Sequence, residues 1–341
     1  MKILIVLPPN QPSGGNWTYS GRLQRGLAPY GIQITRKAFE SVSEADYAAA
    51  DLIHSYNAYA TGRHIAPIAK RLGKPFVVTM TGTDVNEHLT NPDTRPSMVE
   101  AVEYASRIVF LTEDARQRLA AAYPGSESKS LVVNLGIDLP PRKGKTRADF
   151  GFGEEEFIFL LVAGIRPVKR PLDALEPLAR VHELHPNVRF VVAGQNLDEK
   201  TYAEVQEAFA RYSGFARYIG AVDYSEIPDL YQAVDVAMNT SSSEGLSHAL
   251  LEAMSLGKPV LASHVPGNRD LIDDGVNGYL YRDGSELTEK ALLLVKDADS
   301  RERVAAGGLA TIREHFSLAR ELQTFKEMYE SVMAPTVCTQ H

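Results

Sequence analysis

The sequence predicts an α/β protein built as two doubly wound domains, each a parallel sheet flanked by helices. Three observations carry this. Short apolar runs alternate with amphipathic stretches along most of the chain. The alternation breaks once, in a charged, Pro- and Gly-rich segment at 141–156, and then restarts. The length, 341 residues, exceeds what a single core usually serves.

In the first domain (1–140), KILIVL (2–7) reads as a buried strand. A Pro/Gly-rich loop, PPNQPSGGNW, follows it, and then a helix ending near Gly31. Further strands are expected at IQITRKAF, DLIHSY (51–56), PFVVTM (75–80), RIVFLT (107–112) and SLVVNLGID (130–138). In the second domain (157–316) the expected strands are FIFLLVAG, VRFVVAG, ARYIGAV, VDVAMNT and KPVLAS. DALEPLARVHEL, TYAEVQEAFARYS, IPDLYQAV and HALLEAMSL have helical patterns between them. The tail from Glu286 to Met333 reads as almost wholly helical.

Composition narrows the function. The net charge of −7 argues against nucleic acid as a partner. Residues 1–140 hold 14 Lys/Arg and 13 Asp/Glu, a net of +1, so the remainder carries −8. A near-neutral first half gives little support to docking on an anionic membrane. The five-residue apolar run Ile3–Leu7 meets Pro8 and Pro9, too short for a signal peptide. No stretch approaches the roughly 18 apolar residues of a membrane span. One cysteine, Cys338, permits neither an intrachain disulfide nor a cysteine-based metal site, which fits a cytoplasmic protein.

The chemistry concentrates in SSSEGLSHALLEAMSLGKPVLAS (241–263). It reads as a turn, then a helix with Ser247 as N-cap. Free backbone N–H groups at such a helix start suit a phosphate or sugar oxygen. Glu244 stands at the mouth of that site and Glu252 one or two turns into the helix. Two acceptor carboxylates beside an anion site suit a ligand with hydroxyls around a phosphate, as in a nucleotide sugar. From spacing alone, a capping acid with a solvated helix Glu reads equally well. A glycosidase pair would have to flank one bond at about 5–10 Å, which spacing does not fix. VAGIRPVKRPLDAL opens the second domain and places Arg166 and Lys169 in a loop after a strand, with Arg170 as a substitute. Fixed cations there would stabilise charge on a departing diphosphate. The alternative is two solvated loop cations.

E-x7-E, with Gly after the first Glu and LEAM around the second, resembles the nucleotide-sugar glycosyltransferases of family 4, which have the GT-B fold: two Rossmann-like domains facing across a cleft. GKPVLAS and DDGVNGYLY (273–281) extend the resemblance. GGNW, TGTDVNEH, IRPVKRPL and VPGNRDLI resemble the glycosyltransferase 1 domain-containing subgroup and, more distantly, bacterial selenosugar synthases. The resemblance implies that Glu244 holds donor-sugar hydroxyls and Glu252 the ribose. The backbone at Gly245, Leu246 and Ser247 would hold sugar and phosphate oxygens, and Ile219 and Gly220 the base. Gly15, in a Gly-Gly loop, would approach the donor phosphates. Asn16 and Trp17 become candidate acceptor contacts. Thr81 stands where many relatives carry a His that contacts the transferred sugar. Asp84, Asn86, Glu87 and His88 become candidates for acceptor recognition. An isolated His54, beside Asn57 after a strand, is more often structural. A C-terminal helix, about 317–333, is expected to return to the first domain.

The resulting expectation is a retaining glycosyltransferase that moves a sugar from a UDP- or GDP-type donor to a sugar or small-molecule acceptor. It needs no cofactor and no metal. No nucleophile is evident, which favours front-side attack guided by the departing phosphate. Asp297-Ala298-Asp299 matches D-x-D but falls in a charged helical tail. A nucleotide-sugar epimerase or a non-catalytic nucleotide-sugar-binding protein stays open. Dinucleotide chemistry lacks the G-x-G-x-x-G fingerprint. The donor base and sugar, the acceptor and the oligomeric state are not readable from sequence.

Overall fold

The structure is a computed structural model, and it describes residues 1–8 and 15–334. The chain divides into two units: residues 1–136 with 317–341, and residues 137–316. Segment 141–156 therefore belongs to the second unit. It is held there because the Asp229 carboxylate accepts from Arg142 Nε and from the Lys143 backbone, both at 2.8 Å.

The first unit holds β1 (Lys2–Leu7), β2 (Gln33–Ala38), β3 (Leu52–Tyr56), β4 (Phe76–Thr79), β5 (Arg107–Phe110) and β6 (Ser130–Val132). All pair in parallel in the order β2-β1-β3-β4-β5-β6. The apolar runs behind β1, β3 and β4 are buried on both faces, as a helix-covered parallel sheet requires. From β1 the chain goes one way to β2, then crosses to β3 on the other side. The topological switch thus lies between β1 and β3.

The second unit holds β7 (Phe157–Val162), β8 (Val188–Ala193), β9 (Ala216–Tyr218), β10 (Val236–Asn239), β11 (Val260–Ser263) and β12 (Tyr279–Tyr281). Their order is β12-β11-β10-β7-β8-β9, again all parallel. Its switch lies between β7 and β10. Strand β12 was not legible as a strand: three residues after Gly278 are too few for a period to show.

The last helix, Leu318–Met333, belongs to the first unit. It is fixed by a buried ion pair, Arg22 Nη2 to Glu321 Oε1 at 2.9 Å. Glu321 Oε2 also accepts from Gly136 N at 3.0 Å. A side chain at Gly136 would place its Cβ 2.3 Å from Leu318 Cα, so only glycine fits that approach. Further along the helix, Tyr329 bonds His54 Nδ1 and Thr79 bonds His54 Nε2, each at 2.7 Å. Burial drives the His54 imidazolium down to about pKa 3, so the ring is a neutral core bridge. Among the described residues, no helix is long and apolar enough to cross a membrane.

Candidate functional site

In the second unit, the loops after β7, β10 and β11 emerge side by side at one sheet edge, because those strands are neighbours. Hydrogen bonds zip them together. The Ser242 N–H donates to the Val168 carbonyl at 2.9 Å, and Thr240 Oγ1 to the Lys169 carbonyl at 2.6 Å. Ser263 Oγ donates to the Ser241 carbonyl at 2.7 Å.

Glu244 is the hub. Its Oε1 accepts from Lys169 Nζ at 2.6 Å, Ser241 Oγ at 2.6 Å and Asn239 Nδ2 at 2.9 Å. Burial pushes this carboxyl up, but the Lys169 charge and the three donors outweigh it, holding the group below its usual range. Glu244 is therefore ionised at neutral pH. Asn239 also donates to Ser247 Oγ at 3.2 Å, and in turn accepts from Asn268 Nδ2 at 3.0 Å. Asn268 Nδ2 further donates to the Ser263 carbonyl at 2.9 Å. Gly267 lets the chain come this close, since a Cβ there would lie 2.5 Å from the Gly245 carbonyl oxygen and 2.6 Å from that of Glu244.

Ser247 caps the helix His248–Ser255, accepting from the Leu250 N–H. Glu252 is half-buried on the second turn of that helix. The Leu246 side chain is buried. Arg166 has extended backbone and starts the turn Pro167–Lys169. It differs from its neighbours: no acid pairs with it among the described residues, and its buried Nε has no hydrogen-bond partner. Arg170 instead pairs with Asp173 at 2.6 Å and has φ 45. Ile219 and Gly220 follow β9. The Ile219 N–H donates to the Val192 carbonyl at 3.0 Å, and the Gly220 carbonyl accepts from Gly194 at 2.8 Å. They sit two strands from the switch, not at the Glu244 hub.

In the first unit the loops after β3 and β4 form one assembly. Asp84 is fully buried, and its carboxylate accepts backbone N–H groups from Ala58, Thr81, Gly82 and Val85 at 2.9–3.1 Å. Burial pushes its carboxyl up and the four N–H donors pull it only partly back. Asp84 is thus a loop organiser with no surface to offer an acceptor, which corrects the expectation of a contact residue. Asn57, at φ 70, is a second tie. Its Nδ2 donates to Thr81 Oγ1 at 3.0 Å and Thr83 Oγ1 at 2.9 Å, while its Oδ1 takes the Tyr59 and Ala60 N–H groups. Thr81 and Asn86 are half-buried and Glu87 is exposed on the turn Asp84–His88. The Asn86 side-chain oxygen accepts from Arg118.

Gly15, Asn16 and Trp17 were expected in a loop but form the first turn of the helix Gly15–Leu27. Gly14 and Cys338 lie outside the described residues. Trp17 is half-buried, and the Arg36 guanidinium lies 5.1 Å from its ring and donates to its carbonyl at 2.7 Å. Arg36 thereby takes up part of the ring surface expected to stack on a sugar. Asp297 caps the helix Ala298–His315, accepting from the Ser300 N–H, so half of the D-x-D pattern is a helix cap. No cluster of metal-ligating side chains occurs among the described residues.

Asn239, Ser241, Ser263, Gly267 and Asn268 carry no role in the sequence reading. The available signal was a polar residue, Asn239, ending an otherwise apolar strand, and Gly-Asn in VPGNRDLI.

The two parallel six-stranded sheets, each with its own switch point, are those of the GT-B class of fold. Residues 142–309, which lie within the second unit, match the family "Glycosyl transferases group 1". The chain is 27% identical over 261 residues to glycosyltransferase 1 domain-containing protein 1 of Xenopus tropicalis, covering 74% of this chain and 75% of that protein. It is 29% identical over 308 residues to the D-inositol 3-phosphate glycosyltransferase of Streptosporangium roseum, covering 83% and 70%. Among solved structures it is similar in fold to Anabaena HepE in complex with UDP and glucose. The TM-score is 0.80 at 20% identity, covering 97% of this chain and 100% of that one.

Proposed function

We propose that the protein is a retaining glycosyltransferase that uses a UDP- or GDP-type sugar donor, without metal or cofactor, and acts in the cytoplasm. One observation carries the reading: Arg166, a cation with no acid partner among the described residues, stands on the same turn as the Lys169–Glu244 pair at the switch of the second unit. A guanidinium half withdrawn from water with an unpartnered Nε is suited to a phosphate, which it binds as a fork.

In this reading Arg166 and Lys169 take the diphosphate with the backbone of Gly245, Leu246 and Ser247. Glu244, kept ionised by Lys169, accepts from donor-sugar hydroxyls, and Glu252 accepts from the ribose. As the glycosyl–phosphate bond breaks, charge grows on the phosphate oxygens, and the two cations stabilise it. The acceptor hydroxyl then attacks from the face the phosphate leaves, and a departing phosphate oxygen takes its proton. Ile219 and Gly220 approach the base through backbone. Gly15 approaches the phosphates, and Asn16, Trp17, Thr81, Asn86 and Glu87 contribute to the acceptor side. Asp84 and Asn57 shape that side without touching the ligand.

The test is incubation with UDP- and GDP-sugars and a panel of acceptors, with EDTA, followed by NMR of the product's anomeric proton. The expected outcome is transfer that persists in EDTA with the donor's anomeric configuration kept. An inverted anomer, or activity abolished by EDTA, contradicts the reading.

A further inference from the structure

The switch point of the first unit carries a cation that the proposed donor site does not use. Arg63 begins the helix Arg63–Arg71, directly after the π-helical turn Ala58–Gly62. Its guanidinium carbon lies 3.9 Å from the Tyr59 ring centre. The His88 ring lies 3.8 Å from the same centre, tilted by 24°. Two groups cannot both sit that close on one face, so Tyr59 is clasped between them. Arg63 Nε donates to His64 Nε2 at 3.0 Å, and His64 stacks on Phe39 at 5.2 Å. His88 is itself anchored to Thr94, 3.3 Å from Nδ1.

The guanidinium is thus fixed by stacking and by one hydrogen bond at Nε. Its two terminal nitrogens bond nothing, and no carboxylate pairs with it among the described residues. Glu87, the exposed acid on the neighbouring turn, forms no ion pair among the described residues. A cation whose rotamer is already fixed loses little freedom on binding, and its free edge is the one that forks onto an oxyanion. This edge lies in the loop assembly that Asn57 and Asp84 tie to Thr81.

From this stack we infer that the acceptor carries a phosphate ester, and that Arg63, set by Tyr59, His64 and His88, is the residue that receives it. The inference deepens the proposed function by naming the acceptor class, and it rests on that reading for the word acceptor. The anion site itself stands on the first unit's geometry alone.

The experiment is an NMR titration of the full chain, following the His64 and His88 ring protons. The probes are inorganic phosphate, glucose 6-phosphate, glucose and, as a salt control, chloride. The expected result is saturable shifts with both phosphates in the millimolar range and none with glucose or chloride. Arg63→Gln should weaken phosphate binding at least tenfold, by the loss of one charged fork. Arg63→Lys, which keeps the charge but neither the fork nor the stacking, should fall between the wild type and Arg63→Gln, and a melting curve for each variant shows that it is folded. Arg166→Gln should leave these shifts unchanged, which separates this site from the donor site. Absence of saturable phosphate shifts at His64, or equal shifts in a folded Arg63→Gln, would overturn the inference even if nucleotide binding stands.

Discussion

Both units have a topological switch, reached after one strand in the first and after two in the second, and the carboxylates in the loops beside it are used in opposite ways. In the second unit Glu244 is held by side chains from the loop after β7 and from the end of β10 and the loop that follows it: a lysine, an asparagine and a serine. In the first unit Asp84 is held by backbone N–H groups of its own and the adjoining loop. An acid gripped by backbone has its lone pairs committed to the fold. An acid gripped by a cation, with a second cation left unpaired beside it, forms a polarised group that a ligand can enter. Residue type does not separate these cases; the donors around the carboxylate do.

The largest break in the comparison is expected from Asp84→Ala. It leaves the N–H groups of Ala58, Thr81 and Gly82 without their acceptor, while that of Val85 keeps the Gly82 carbonyl, and at roughly 1–3 kcal/mol each the first unit should lose about 3 kcal/mol or more. Urea unfolding measures this loss. Nucleotide affinity of the protein that remains folded should not change, because the donor hub is in the other unit. Equal stability in the variant would show that the loop has another organiser.

Gly267→Ala should act in the other unit by about 2–3 kcal/mol, as expected when a side chain is forced into a filled space. Here the backbone of Glu244 and Gly245 must move, so nucleotide affinity should fall along with stability. Calorimetric titration of the folded variant checks this. Unchanged affinity would mean that the close approach supports the fold alone.

A smaller effect concerns pH. His54 binds a proton near 6.5 when unfolded but only near 3 when folded. Between those values the unfolded state holds more protons, so stability falls as the pH falls. From pH 6.5 to 5 the loss from this residue should be about 2 kcal/mol. His54→Gln should flatten that slope in urea unfolding at the two pH values. Glu244 behaves differently: its lowered carboxyl stays ionised through this window, so the Lys169–Glu244 pair is lost only as the pH falls through that lowered value.

Much of the fold could be read before the structure, because buried parallel strands are short apolar runs and helices have their own period. The boundary near 136 could not, since charge and proline in 141–156 suggest a linker while Asp229 draws that segment into the second unit. Glu244 and Lys169 were legible as residues, but their 2.6 Å contact across 75 positions was not. Asp84 was misread for a related reason: an acid after a strand looks the same in sequence whether it faces solvent or backbone. Trp17 shows the same limit, since Arg36, 19 residues away, decides what its ring touches.

Arg166→Gln tests the central claim most directly. Calorimetric titration with UDP and GDP, beside a melting curve, should show about tenfold or greater loss of affinity for the diphosphate that binds. The melting temperature should not fall, because Arg166 holds no acid in the fold. Unchanged affinity in a folded variant would contradict a diphosphate at this hub, and a large drop in melting temperature would show that Arg166 serves the structure instead.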